Sequence, residues 1–438
     1  VVLSFVFLQG AHAFQRRKLG PSELLCKMFH DDFSGFMNVV ATAHLKGRLS
    51  LPLLKKACQE VYQLQPLLHV RIDAQKDEFF FATDVSFQDI PFIVIDRKGQ
   101  DHWQKIVSDQ LHELFKIDRF LWRIIVLTDQ KNNSHEVFFV SMHSAGDGVS
   151  MMHMFDQLFT IYSQLEAGKP VSAKSLEFLP PVEELMLHQP TADEVKLSHE
   201  RIGSERPTTW MFDKNAPFSQ RRTKNIYRNL SPELLKKLKL RCKIECTTVN
   251  AALNAALVVA AQKYHGASVN VRLSTPVNLR QRYCRQVVDN SYVGHYFTVA
   301  TSVEPDVNDK VDFWQIARIY NNRLKKMIPV CASVPRGMTY QEAVQFCKKL
   351  AQPRDHFVAG FSVSNVGQLD FSSHYGSLEM TGLHFCSNRS LGFTVMILNV
   401  LSFNDQMFMC FSYADPLLSD ENAHLLVDYH IDSLLKNL

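Results

Sequence analysis

Three residues in the stretch Glu136 to Ser150, EVFFVSMHSAGDGVS, have the types and spacing for proton-transfer chemistry: His143, Asp147 and Gly148, in the pattern HxxxDG. An imidazole titrates near neutral pH, and one held open to substrate can take a proton from a hydroxyl or amine as that group attacks a carbonyl. The chain holds 18 His and 17 Gly, and chance alone gives about 0.04 such matches, so the pattern informs where its surroundings agree with it. The same residues also fit a loop histidine followed by an aspartate that caps a helix.

The surroundings position the imidazole. The β-branched and aromatic run Val137 to Met142 reads as a buried strand, so His143 falls at its end. Ser144, Ala145 and Gly146 leave the ring uncrowded, and a helical pattern starts at Val149. On that helix Met151, Met152, Met154, Phe155, Leu158, Phe159 and Tyr162 form a stripe that reads as core packing, with His153 beside it buried and hydrogen-bonded.

Around this unit the first half alternates strands and helices. A short extended segment from Phe14 turns at Gly20 and Pro21 into a helix. Strands are expected at 36–47, 67–73, 78–83 and 122–128, and helices at 50–64, capped by Ser50, and at 102–116. Periodicity fades between Gly168 and Gln220, where six of the 17 prolines fall, so a boundary is placed there. The division is an N-terminal unit at 14–168, a crossover at 169–220 and a C-terminal unit at 221–438. The second unit offers a strand at 224–230, a helix from Ser231, an Ala-rich core helix in TTVNAALNAALVVAAQKY and the strand VNVRLSTPVNLR. A strand at 291–302, helices at 311–327 and 340–350, several strands within 357–413 and a last helix at 419–435 follow. This interleaving is an α/β (α+β) fold, unlike a TIM barrel or an all-β sandwich.

Composition narrows the function. Hydrophobic residues at 46% and charged residues at 21% are those of a globular chain. A net charge of +4 gives no reason to expect nucleic-acid binding. The basic runs Arg221, Arg222, Lys224, Arg228 and Lys236, Lys237, Lys239, Arg241, Lys243 fit solvated faces or contacts to cofactor phosphates. Nine cysteines without a CxxC pair read as reduced thiols, and no metal site is expected; Cys242 and Cys246 are taken as small core residues. GxSxG, GxxxxGK, GxGxxG and HExxH are absent, which removes the main support for hydrolase, kinase, dehydrogenase and zinc-peptidase readings. The opening VVLSFVFLQGAHA fits an ordinary leading segment or the remnant of a signal peptide without its basic region. A cytoplasmic setting is expected, with a secretory or membrane-associated one as the alternative if that segment is a signal.

HSAGDG at 143–148, PVNLRQR at 276–282 and SVSNVG at 362–367, in this order and at these separations, resemble the condensation-domain-like acyltransferases. These include chloramphenicol acetyltransferase, carnitine acyltransferases, plant BAHD enzymes and peptide-synthetase condensation domains. The nearest likeness is to stand-alone alcohol acyltransferases and diol mycocerosyl transferases, which share an R-x-L-G-P-x-E-like start, here Arg17 to Glu23. The resemblance implies two chloramphenicol-acetyltransferase-like subdomains forming a V, with an active-site tunnel at their interface. It implies an acyl-CoA or acyl-carrier-protein co-substrate and an alcohol or amine acceptor, with direct transfer and no acyl-enzyme. His143 would be the general base, Gly148 part of its loop, and Asp147 a structural partner of an arginine, Arg280 before Arg282. Ser364 and Asn365 would be oxyanion donors, although a turn ending a strand explains them equally. No cofactor-binding residues are assigned, and one chain holds a complete site, so a monomer is expected. Met142 stands where many relatives have a first histidine of a tandem pair, and the DFGWG segment of the plant enzymes is missing. An N-acyltransferase or carrier-dependent condensing enzyme remains an alternative, as does an inactive lipid- or partner-binding module.

Overall fold

The computed structural model describes residues 14–171, 174–187, 191, 207–266, 269–284, 288–304, 312–333 and 339–438. The apolar opening segment and most of the proline-rich stretch after 187 lie outside them.

The first half supplies β1 (Arg16–Lys18), α1 (Pro21–Asp32), β2 (Asn38–Gly47), α2 (Leu51–Leu64), β3 (Arg71–Gln75), β4 (Glu78–Ala82), β5 (Phe92–Asp96), α3 (His102–His112), β6 (Trp122–Asp129), β7 (Ser134–Met142) and α4 (Gly148–Glu166). The second supplies α5 (Val182–Leu185), β8 (Arg222–Leu230), α6 (Pro232–Ile244), α7 (Val249–His265), β9 (Val271–Asn278), β10 (Phe297–Glu304), α8 (Phe313–Ser333) and α9 (Tyr340–Ala351). It continues with β11 (Ala359–Leu369), β12 (His374–Tyr375), β13 (Leu378–Ser387), β14 (Thr394–Phe403), β15 (Gln406–Asp415) and α10 (Asp420–Lys436).

Two six-stranded mixed sheets carry the architecture, ordered β12-β13-β2-β7-β6-β5 and β10-β9-β11-β14-β15-β8, with β1-β4-β3 as a small third sheet. The central strands are apolar on both faces because both faces are covered: all ten residues of β14 are buried, and all of β7 after Ser134. In the first core, the Met stripe of α4 packs with Leu54, Ala57 and Val61 of α2 against β6 and β7. In the second, α7 lies beneath β9 and β11 with α8 and α10 against it. Its alanines permit that close approach. Thr248 caps α7 by accepting from Ala251 N, and Gly266 ends it in a left-handed conformation at φ 64°.

Several expectations need correction. Residues 374–387 belong to the first sheet, so the boundary placed at 221 does not separate the sheets: β13 pairs along nearly all of β2, from Leu378↔Gly47 to Ser387↔Val39. Without β13, β2 would present an open edge of unpaired backbone groups. Apolar pattern alone does not say which sheet a strand joins. The reading missed β5, an edge strand. The strand expected at 291–302 starts only at Phe297, because the preceding segment is tied to the first half. Gln65 Nε2 donates to Ser291 O at 2.7 Å, and Val293 N donates to Gln65 Oε1 at 3.1 Å. Ser50 stands at the α2 N-cap, but its side chain makes no capping bond. Cys246 is exposed, two residues past the end of α6.

Candidate active site

β7 delivers His143, and the turn after it is closed by Ala145 N donating to Met142 O at 3.0 Å. Helix α4 begins at Gly148, one residue before the sequence pattern, with Asp147 as its cap. Asp147 Oδ1 accepts from Ser150 N at 2.9 Å, while Ser150 Oγ accepts from Asp147 N at 3.0 Å, a reciprocal cap that fixes the loop.

The same carboxylate reaches the second half. Arg280 Nη1 donates to Oδ2 at 2.8 Å and Nη2 to Oδ1 at 2.9 Å, a two-pronged pair buried on both sides. Tyr296 N also donates to Oδ2, at 3.0 Å. Burial by itself raises the Asp147 carboxyl, but the charge and hydrogen bonds of Arg280 outweigh it and push the group down to about 2. Arg280 is held in turn by Asn278 Oδ1 at 3.3 Å and Tyr292 O at 3.3 Å. Arg282, the second choice of partner, is exposed. Capping and ion pairing, which the sequence left as alternatives for Asp147, are both present.

His143 is half-buried and lines the cavity, with Nδ1 enclosed and without a side-chain partner, so Nε2 is the ring's accessible nitrogen. Burial and the neighbouring His295 push its basicity down to about 3, against the pull of Asp147, so the imidazole is neutral at physiological pH. His295, which the sequence reading did not single out, donates from Nδ1 to His143 O at 3.0 Å. The two rings lie 5.6 Å apart, and Phe297 packs against both, at 5.1 and 4.5 Å. Nothing in the sequence around Gly294 to Phe297 distinguishes His295 from an ordinary strand histidine.

The two halves enclose a cavity of about 470 Å³. His143, Gly148 and Phe385 reach it from the first sheet side, and Pro276, Thr298, Ser364 and Asn365 from the second. Gly148 sits where the halves touch: a Cβ there would lie 3.2 Å from the Phe385 ring and 3.4 Å from a Val366 methyl. Asn365 Oδ1 accepts from Gly367 N at 2.9 Å, across a bulge in β11 at which Gly367 takes φ 92°. Its oxygen thus serves the turn, and its amide N–H groups remain as donors on the cavity wall. The basic runs line no part of this cavity. Lys224 pairs with Asp420, Arg228 with Asp428, Lys237 with Glu233 and Arg241 with Glu245.

A sequence profile of the condensation domain matches residues 25–336. No curated protein sequence matches the chain. Among solved structures, the fold is similar to TRI3 trichothecene 15-O-acetyltransferase from Fusarium sporotrichioides, at TM-score 0.79 and 12% identity over 97% of this chain and 95% of that one. It is similar to the epimerization domain from the third module of tyrocidine synthetase B, at TM-score 0.72 and 13% identity over 97% and 96%. Polyketide synthase associated protein 5 from Mycobacterium tuberculosis superposes at TM-score 0.71 and 13% identity over 96% and 97%.

Proposed function

The chain belongs to the condensation-domain family of acyltransferases, and we propose that it moves an acyl group from acyl-CoA to an alcohol. The observation that carries this reading is the imidazole of His143, opening through Nε2 into a cavity that both halves line. Nε2 takes the proton of the acceptor hydroxyl as the oxygen attacks the thioester carbonyl carbon. The tetrahedral intermediate collapses by breaking the carbon–sulfur bond, and the thiolate takes the proton from the imidazolium. Both reactants sit in one cavity, so transfer is direct and no acyl-enzyme forms. Ser364 Oγ and the Asn365 amide are the donors assigned to the oxyanion. Asp147 and Arg280 touch neither reactant; they hold the loop that carries the base. Every group comes from one chain, so a monomer is sufficient.

The test is thiol release from short- to long-chain acyl-CoAs with alcohol and amine acceptors, on wild type and His143→Ala side by side. Acceptor-dependent release that falls by about 10²–10⁴-fold in the variant is expected. Preference for amines, or release only from an acylated carrier protein, would move the assignment to N-acyl transfer or carrier-dependent condensation. Acyl-CoA bound by both proteins and turned over by neither would make the chain a binding module. Wild-type rates in His143→Ala would remove the general-base role.

A further inference from the structure

A second guanidinium lines the cavity, half-buried, and among the described residues this one has no counter-ion. Arg389, in the connection between β13 and β14, lies on the cavity wall. Its Nη2 donates to Ser387 Oγ and reaches Met37 Sδ at 4.0 Å; its Nε is buried without an acceptor. The Phe36 ring is 5.6 Å from its Cζ. Among the described residues, no carboxylate pairs with it. Arg280, enclosed in the same cavity, takes a carboxylate through two hydrogen bonds. Burial lowers the basicity of Arg389 to about 10, which still leaves it charged at neutral pH.

Its neighbours share the deficit. Thr394 Oγ1, on the same wall, is buried without a partner. Arg272, also lining the cavity, donates from Nη1 to Val358 O at 3.2 Å and has its Nε unpartnered. The acids that line the cavity are already engaged: Asp147 by Arg280, and Glu183 by Ser22 N at 2.9 Å. A buried cation without a counter-charge is destabilising, and a ligand that brings the anion relieves that cost on binding.

We propose that Arg389 receives a carboxylate carried by one of the two substrates, near the reacting carbonyl. The carboxylate is either the free end of a dicarboxylic monoacyl thioester or the acid group of a hydroxy-acid acceptor. Proximity decides against the phosphates of coenzyme A. Arg389 and His143 line the same cavity, whereas those phosphates stand a whole pantetheine arm from the thioester carbon that must meet His143. The inference rests on the transfer reading above and adds the substrate class to it.

Calorimetric binding to wild type, Arg389→Gln and Arg389→Lys tests it, with two pairs of probes. Succinyl-CoA against butyryl-CoA reports on the donor, and 3-hydroxybutyrate against 3-hydroxybutyramide on the acceptor; turnover is measured in parallel. Wild type is expected to prefer the charged member of one pair by about tenfold or more. Arg389→Gln is expected to bring that ratio to about one, and Arg389→Lys to keep part of it. Equal affinity of wild type for both members of both pairs, or a preference that survives in folded Arg389→Gln, overturns the proposal. If Arg389→Gln does not unfold cooperatively, the decision passes to Arg389→Lys, where an undiminished preference overturns it. A charge preference without any turnover would keep the anion site and reject acyl transfer, so the two failures are distinct.

Discussion

Asp147 and Arg280, 133 residues apart in the chain, meet through two hydrogen bonds of 2.8 and 2.9 Å, with Arg280 wholly enclosed. One carboxylate thereby starts helix α4, fixes the loop after His143 and fastens that loop to the segment following β9. The position of the base is set by a contact between the halves as much as by the strand that bears it.

Removing one partner leaves the other as a buried, unpaired charge. Arg280→Met is therefore expected to lower stability by about 3–5 kcal/mol, read from the urea unfolding midpoint. Arg280→Lys retains the charge but not the planar fork, and should fall between. Arg282→Ala, at an exposed position, should stay within about 0.5 kcal/mol of wild type. Equal effects at 280 and 282 would contradict the pairing.

The enclosure of His143 makes a statement about rate. With its basicity pushed down to about 3, the imidazole stays in the form that accepts protons across the physiological range. The profile of kcat/KM, which reports the free enzyme, should show no acidic limb near 6.5. A limb there, lost in His143→Ala, would mean that the ring titrates like one in water.

Much of the site was legible because it is local. A buried strand, small residues and a helix start follow one another within Glu136 to Ser150, and backbone periodicity places His143 between them. Arg280 was reachable only through the resemblance of PVNLRQR, since no pattern within one segment pairs residues so far apart. His295 and Arg389 left no signal. Their roles come from which surfaces the fold brings together, and a histidine before an aromatic residue or an arginine after an asparagine is ordinary in any strand end or loop. The sheet membership of β13 was hidden for the same reason: its apolar residues fit either core.

Gly148 is required by space and not by backbone conformation. A methyl group there would press on Phe385 at 3.2 Å and Val366 at 3.4 Å, one on β13 and one on β11. Gly148→Ala should cost about 1 kcal/mol and Gly148→Val about 1–3 kcal/mol, by overpacking. Phe385→Leu, which removes ring atoms at the contact, should recover part of the loss in the Gly148→Ala background. Thermal unfolding of the four proteins gives the coupling, and strict additivity would place the strain elsewhere.

Stability should also fall on mild acidification, through histidines that are buried neutral. Burial lowers His112 to about 4, His143 to about 3 and His430 to about 4, and holds His384 well below its ordinary value of 6.5. Between pH 6.5 and about 4 the unfolded chain therefore binds more protons than the native one. Stability is complete above 6.5 and is lost as pH falls through that window. Asp147 acts in a separate range: lowered from 3.8 to about 2, it contributes fully above 3.8, and that contribution is lost only as pH falls towards 2. His430 sits in the second core with Nε2 donating to Leu253 O at 3.1 Å, and its share by pH 4 is on the order of 3 kcal/mol. The urea midpoint is expected to decline steadily from pH 7 to 4.5, and His430→Leu should make the decline shallower by up to one proton. A midpoint unchanged across that range would mean that these imidazoles titrate alike in the native and unfolded chains.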